Sequence, residues 1–223
     1  MTQYLRINIT TEGPTEHRFV KDVLYYHLQP LGKYCEVRSV LTNKDLKKRG
    51  GLSTYKKAKN DIHRWMSNDN SSEARFTTMF DFYALPSDFP GMEEAQKRND
   101  KYDKINCIEA ALKNDIQDDR FIPYIQLHEF EALIFTNLDM LLLEYNNKLS
   151  EIQELKQVLS YFNDNPELVN NNKDSSPSHR IKNLIPEYQK VSSGSIITSL
   201  IGLENLKQTC KHFREWIQVL ENL

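Results

Sequence analysis

The chain opens with a strand that ends in a turn and gives way to a helix, and that order constrains the fold more than any other stretch. Leu5, Ile7 and Ile9 alternate with polar residues, the two-residue period of a β-strand. Gly13-Pro14 then breaks the extended chain. From Glu16 to Leu28 the apolar residues Phe19, Val20, Val23, Leu24 and Leu28 fall on one face of a helix, which Pro30 and Gly32 bring to an end. Glu12 is left at the carboxyl end of a first strand, just ahead of a helix. In open α/β sheets this rim is where ligands bind. A carboxylate there, beside a flexible glycine, is placed to hold a divalent cation. The plainer alternative is helix capping, for which Thr15 qualifies.

The same alternation repeats. Strands are expected at about residues 3–10, 34–41, 76–82 and 121–127, separated by helical patterns. The second helix covers Tyr55 to Met66, with Ala58, Ile62, Trp65 and Met66 apolar. The third covers about Glu93 to Ile116, with Ile105, Ile108, Ala111 and Leu112 in its later half. A β-α-β-α-β-α-β order predicts a mainly parallel sheet flanked by helices. Beyond Leu127 no strand is expected. Helical patterns lie at about 129–145, 149–163, 178–185 and 204–221, and the stretch from Asn163 to Ser178, rich in Asn, Asp, Ser and Pro, reads as a loop. The expected layout is an α/β core over residues 1–136 and a helical C-terminal region over 137–223.

Composition narrows the classes. The net charge of −2 does not by itself announce a nucleic-acid binder. Cys35, Cys107 and Cys210 are odd in number, widely spaced and form no CxxC pair, which argues against a disulfide framework or a zinc site and for a reducing compartment. The start Met-Thr-Gln-Tyr reads as no signal peptide, and no apolar run is long enough to span a bilayer. A cytoplasmic location is the expectation.

Further acids lie at the other strand ends. The strand Phe76-Thr77-Thr78-Met79-Phe80 delivers Asp81, and the loop that follows carries Asp88 between two prolines. Strands one and three of a parallel sheet end on one rim, so Glu12 and Asp81 are expected to face each other, an arrangement that a cation such as Mg²⁺ would neutralise. Capping of turns by Asp81 and Asp88 is the alternative. The fourth strand runs into His128, Glu129 and Glu131. If a helix starts near Glu129, these two glutamates stand about 200° apart on its wheel, so only one of them joins a site. First-turn acids also complement a helix dipole without any metal, and His128 alone reads as a structural histidine. Between Lys44 and Arg64 eight cations face only Asp45 and Asp61, a local charge of +6, so the remainder carries −8 to reach −2. Lys47, Lys48, Arg49, Lys56 and Lys57 are the candidates to track a phosphate backbone, against the plainer reading of a solvated loop and helix face. Lys190 is a weaker candidate to neutralise charge on a phosphoryl transition state.

The segments TEGPTE, DFYALPSDFPG and IQLHEFEALIF, in this order, together with the C-terminal GLENLKQTCKHFREWI, resemble the bacterial family catalogued as domain of unknown function 4276. That family is similar to Toprim proteins, the α/β metal-binding domains of topoisomerases, primases and overcoming-lysogenization-defect (OLD) nucleases. Its genes often sit beside ABC-type AAA ATPases in arrangements resembling antiphage defence systems. The resemblance implies that Glu12 stands where Toprim has its first glutamate and Asp81 at the first aspartate of its Asp-x-Asp motif. Here Tyr83 replaces the second aspartate, which leaves Asp88 and Glu131 as the carboxylates to compensate.

The expected function is therefore a Toprim-like nuclease or phosphotransferase dependent on Mg²⁺ or Mn²⁺ and acting on DNA or RNA. Glu12, Asp81 and Lys190 would be its catalytic set, and Glu12, Asp81, Asp88 and Glu131 its metal ligands. It would serve as the effector of an ATPase-linked antiphage system. The alternative is a Toprim fold with a decayed site that docks on an ATPase.

Overall fold

A computed structural model describes residues 4–43, 48–49, 52–170 and 175–223. The chain divides into two compact units, one ending at Gln126 and the other running Leu127–Asn222.

The first unit is an α/β layer structure. Its strands are β1 (Leu5–Thr11), β2 (Lys33–Ser39), β3 (Leu41–Asn43), β4 (Lys48–Arg49), β5 (Ala74–Asp81), β6 (Phe121–Ile122) and β7 (Ile125–Gln126). The main sheet has the order β2-β1-β5-β6, with β7 also on β5, and every pair in it is parallel. β3 and β4 form a separate antiparallel pair. β1 lies between two neighbours, and not only Ile7 and Ile9 but also Asn8, Thr10 and Thr11 are buried. Polar residues in an alternating pattern thus end up inside, because both faces of this strand are covered.

The fourth strand, expected as one piece, is interrupted. Phe121 and Ile122 pair with Phe76 and Thr77, and pairing resumes at Ile125 opposite Phe80. Pro123 has no N–H to give to the ladder. The Thr78 hydroxyl fills the gap, accepting from the Tyr124 amide at 3.0 Å and donating to the Tyr124 carbonyl at 2.9 Å.

Helices α1 (Pro14–Phe19) and α2 (Tyr25–Leu28) are joined without a break by a π-helical turn at Val20–Leu24. The wider turn shifts the stripe, so Phe19, Val20, Leu24 and Leu28 are buried while Val23 is only half-buried. α3 (Tyr55–Asn68) buries Ala58, Ile62, Trp65 and Met66, the face expected from sequence. The single long helix expected after Glu93 is two, α4 (Met92–Gln96) and α5 (Lys101–Ile116), the second capped by Asp100 through the Asp103 amide. Gly91 lets α4 start against α5. Its φ is +79°, and a Cβ there would meet Ala111 Cβ at 2.7 Å, which no other residue tolerates.

Among the described residues of the second unit, all regular secondary structure is helical. The stretch expected as one α-helix over 129–145 is instead two 3₁₀ helices, Phe130–Thr136 and Leu138–Leu143. Every residue from Phe130 to Phe135 is buried, so no face is left for water and no helical stripe exists to read. α6 (Leu149–Tyr161) and α7 (Pro177–Leu184) follow, then α8 (Lys190–Ile201), which was not expected. α9 (Leu203–Thr209) and α10 (Lys211–Glu221) replace the single helix expected over 204–221. Leu206, Cys210, Phe213, Trp216, Ile217 and Leu220 are all buried, at about 1.5–3 kcal/mol for each large apolar side chain. Within the expected loop, Glu167 is fully buried and its carboxylate accepts from the amides of His212 (3.0 Å) and Phe213 (2.9 Å). It thereby satisfies the amino end of α10. Asn171 to Asp174, also in that loop, lie outside the described residues.

Candidate functional site

The carboxyl ends of β1 and β5 lie side by side, because the two strands pair in parallel from Arg6↔Ala74 to Thr11↔Met79. The ladder continues one step further, with the Glu12 amide donating to the Met79 carbonyl at 3.3 Å. Glu12 then turns its carboxylate towards β5, and the Asp81 amide donates to Glu12 Oε2 at 3.3 Å. Asp81 is 5% exposed. The structure therefore brings together the two acids expected at one rim, through the backbone of one and the side chain of the other.

The turn after Glu12 is built differently from the simple Thr15 cap. Gly13 is the cap residue, Pro14 takes the first helical position, and Thr15 is buried inside the first turn. The side chain that completes the cap is Glu16, whose Oε2 accepts from the Gly13 amide at 2.9 Å. Glu16 is 3% exposed, so a third carboxylate sits on this rim. A Cβ on Gly13 would lie 3.1 Å from Glu16 Oε2, so the glycine makes room for the acid. Glu three residues after a cap is the sequence mark of a capping box, and that signal was available in TEGPTE. Next to it, Thr11 Oγ1 and Ser39 Oγ stand 3.1 Å apart, Ser39 Oγ donates to the Gly13 carbonyl at 3.4 Å, and His17 Nδ1 lies 3.4 Å from Ser39 Oγ. Nothing in the sequence marked Ser39.

The donor chemistry fits a hard divalent cation, since every acid here is a carboxylate. Glu12, Glu16 and Asp81 do not bring three ligand atoms within 4.8 Å of one another. The rim is thus an open pair with a third acid engaged in the turn, not a closed cage. Mg²⁺ suits such a site, because it is usually held by one or two carboxylates, water and substrate phosphates.

Asp88 and Tyr83 follow Asp81 in the first unit. The Asp88 carboxylate accepts from the Tyr55 amide at 3.0 and 3.2 Å and so caps α3. Tyr83, in place of a second aspartate, lies in the 3₁₀ turn Phe82–Ala84 with its ring stacked on Phe82, centroids 6.0 Å apart.

Glu131, Glu129 and Lys190 belong to the second unit. Glu129 precedes the first 3₁₀ helix in an extended conformation (φ −156°, ψ 167°). The helical-wheel separation expected between Glu129 and Glu131 therefore does not apply, and both reach one cation. Lys190 Nζ lies 3.3 Å from Glu129 Oε2 and 2.8 Å from Glu131 Oε2. Glu131 has no exposed surface. Glu129 also accepts from the Ser178 amide and, at 2.9 Å, from the Ser178 hydroxyl, which ties down the start of α7. Burial and the charges of Glu131 and Glu129 push the Tyr188 phenol strongly up, keeping it protonated. His128 is buried with φ +63°, its Nδ1 3.2 Å from Asn170 Nδ2, consistent with its reading as a structural histidine.

Of the basic candidates, Lys47 lies outside the described residues. Lys48 and Arg49 form β4. Lys56 and Lys57 are exposed on the first turn of α3, with Lys57 Nζ 3.1 Å from Ser53 Oγ. Among the described residues, no helix is long and apolar enough to cross a membrane.

Comparison with family models matches residues 11–221 to the family described as "Domain of unknown function (DUF4276)". The comparisons with curated proteins and with solved structures give no match.

Proposed function

The chain belongs to the DUF4276 family, and from that premise we propose that it is a Toprim-like enzyme that hydrolyses or transfers phosphodiesters of nucleic acid with the help of Mg²⁺ or Mn²⁺. The observation that carries this reading is the Asp81 amide on the Glu12 carboxylate at 3.3 Å. It sets two acids from separate strands on the rim where α/β sheets bind their ligands.

In this reading Glu12 and Asp81 hold the cation, and the bound cation would polarise a phosphoryl oxygen and lower the pKa of an attacking water. Glu16 fixes the turn by holding the Gly13 amide. Gly13 leaves the approach to Glu12 without a side chain. Thr11 and Ser39 tie the ends of β1 and β2 together at 3.1 Å, so the rim is rigid before substrate arrives. Lys56 and Lys57, exposed on α3, supply positive charge for a nucleic-acid backbone. Asp88 leaves the ligand set because it caps α3, and Lys190 enters as the counter-ion of Glu129 and Glu131. The protein would act in the cytoplasm as the effector of an antiphage system, with an AAA/ABC-type ATPase as its partner.

One observation favours a second reading. Tyr83 gives the rim a stacked aromatic ring where a further carboxylate would strengthen metal binding, as expected of a decayed site that binds without cutting. Incubation with plasmid DNA and tRNA in Mg²⁺ or Mn²⁺, with and without the partner ATPase, separates the two. The enzyme reading expects cleavage that Asp81→Asn abolishes. Binding without cleavage in every condition selects the binding module.

A further inference from the structure

A second feature of the first unit lies on the same sheet end. Thr10 near the end of β1, Arg38 and Ser39 at the end of β2, and Asp61, Arg64 and Trp65 of α3 line a cavity of about 300 Å³. The Arg38 guanidinium lies over the Trp65 ring, 4.2 Å from its centroid. Trp65 is 5% exposed, whereas Arg38 is exposed to solvent. A planar cation is thus held in place by stacking, with its hydrogen-bonding edge left available. Arg64 is more than half exposed and meets Asp61 at 3.7 Å, a loose surface pair of small worth that a stronger anion can displace. Two guanidiniums and one carboxylate leave the lining positive.

We infer that this cavity takes the phosphoryl group of a nucleotide, free or within a nucleic-acid strand, between Arg38 and Arg64. Guanidinium forks match phosphate oxygens two at a time, and the Arg38–Trp65 stack offers a flat surface at the scale of a base. The volume is at the lower end for a ligand pocket and suits one nucleotide. Thr10 is two residues from Glu12, so a strand seated here runs past the rim that bears the proposed cation pair. The inference deepens the nucleic-acid reading above and rests on it for the strand.

The test uses the full chain in EDTA, so that no cation contributes. A fluorescein-labelled single-stranded 12-mer is followed by anisotropy over a range of salt, and AMP and inorganic phosphate by calorimetry. Wild type is expected to bind AMP more tightly than phosphate. R38Q/R64Q is expected to lose at least tenfold in affinity for AMP and for the 12-mer, with the log–log salt slope for the strand falling by about 1.4, or about 0.7 per lost phosphate contact. R38K/R64K, which keeps the charge but not the fork, should fall in between. AMP binding that is lost in R38Q/R64Q, with no strand binding by wild type, supports the cavity for a free nucleotide and removes the strand. R38Q/R64Q matching wild type for both AMP and the 12-mer overturns the inference. Mg²⁺ titration of the same variant is expected to be unchanged, so failure of the cation pair and failure of this cavity are read separately.

Discussion

Asp81 and Glu12 are linked across two strands by the Asp81 amide and the Glu12 carboxylate, 3.3 Å apart. The link is possible only because β1 and β5 are direct parallel neighbours in register. Any strand between them would separate the two residues by roughly another 4.8 Å. The candidate site is therefore a consequence of strand order, and the turn behind it decides how the Glu12 carboxylate is held.

That turn gives a first prediction. Gly13 has φ −140°, which any residue adopts, so Gly13→Ala carries no backbone penalty. Its new Cβ would crowd Glu16 Oε2 at 3.1 Å and weaken the bond from the Gly13 amide. Glu16→Ala removes that bond entirely. Urea denaturation should show Glu16→Ala less stable by roughly 0.5–2 kcal/mol, the range for loss of a cap, with Gly13→Ala showing a smaller loss. Equal stability of all three proteins would mean that the turn does not depend on this carboxylate.

Much of this could be read from the residues. Leu5, Ile7 and Ile9, the α3 face of Ala58, Ile62, Trp65 and Met66, and the α10 stripe through Phe213, Trp216 and Leu220 all carry a period, and periods survive folding. What escaped reading lacked one. The run Phe130–Phe135 is buried on all sides and looks the same whether α or 3₁₀. α8 buries Ser193, Gly194 and Ser195, small residues of weak helix preference whose burial is a matter of close packing. Pro123, with no N–H for the ladder, marks the break in the fourth strand. Both acids of the Glu12–Asp81 pair were legible because strand ends share a rim. The shared Lys190 contact of Glu129 and Glu131 was not, because it depends on Glu129 remaining extended.

Lys190 gives the second prediction. Lys190→Met leaves the fully buried Glu131 without its cation at 2.8 Å. Removing one partner of a buried pair costs about 3–5 kcal/mol, and Lys190 is about a third exposed, so solvent screening places the expected loss at roughly 2–4 kcal/mol. Adding Glu131→Gln should recover part of that loss. Thermal unfolding of the single and double variants checks it, and an unchanged melting temperature for Lys190→Met contradicts the pairing.

The thiols give the third. Burial pushes Cys210 up from 9.0 to about 12, with the Glu167 charge adding to it, and burial does the same to Cys35. A group whose folded-state pKa is raised holds its proton more tightly when folded. Its contribution to stability is complete below the unfolded pKa near 9 and is lost as pH rises towards 12. Chemical denaturation between pH 8 and 11 should show stability falling with pH, less steeply in Cys210→Ala. At pH 8, thiol reagents should label Cys210 only on unfolding.

The claim that Glu12 and Asp81 hold a divalent cation is tested most directly by calorimetric titration of the full chain with Mn²⁺ and Mg²⁺, alongside Glu12→Gln and Asp81→Asn. Gln at position 12 keeps an oxygen for the Asp81 amide and removes only the charge, so the fold is expected to stay intact by circular dichroism. Wild type should bind the cation, and each variant should lose at least tenfold in affinity, equivalent to about 1.4 kcal/mol or more. Wild type that takes up no cation, or variants that bind it as tightly as wild type, would contradict the account.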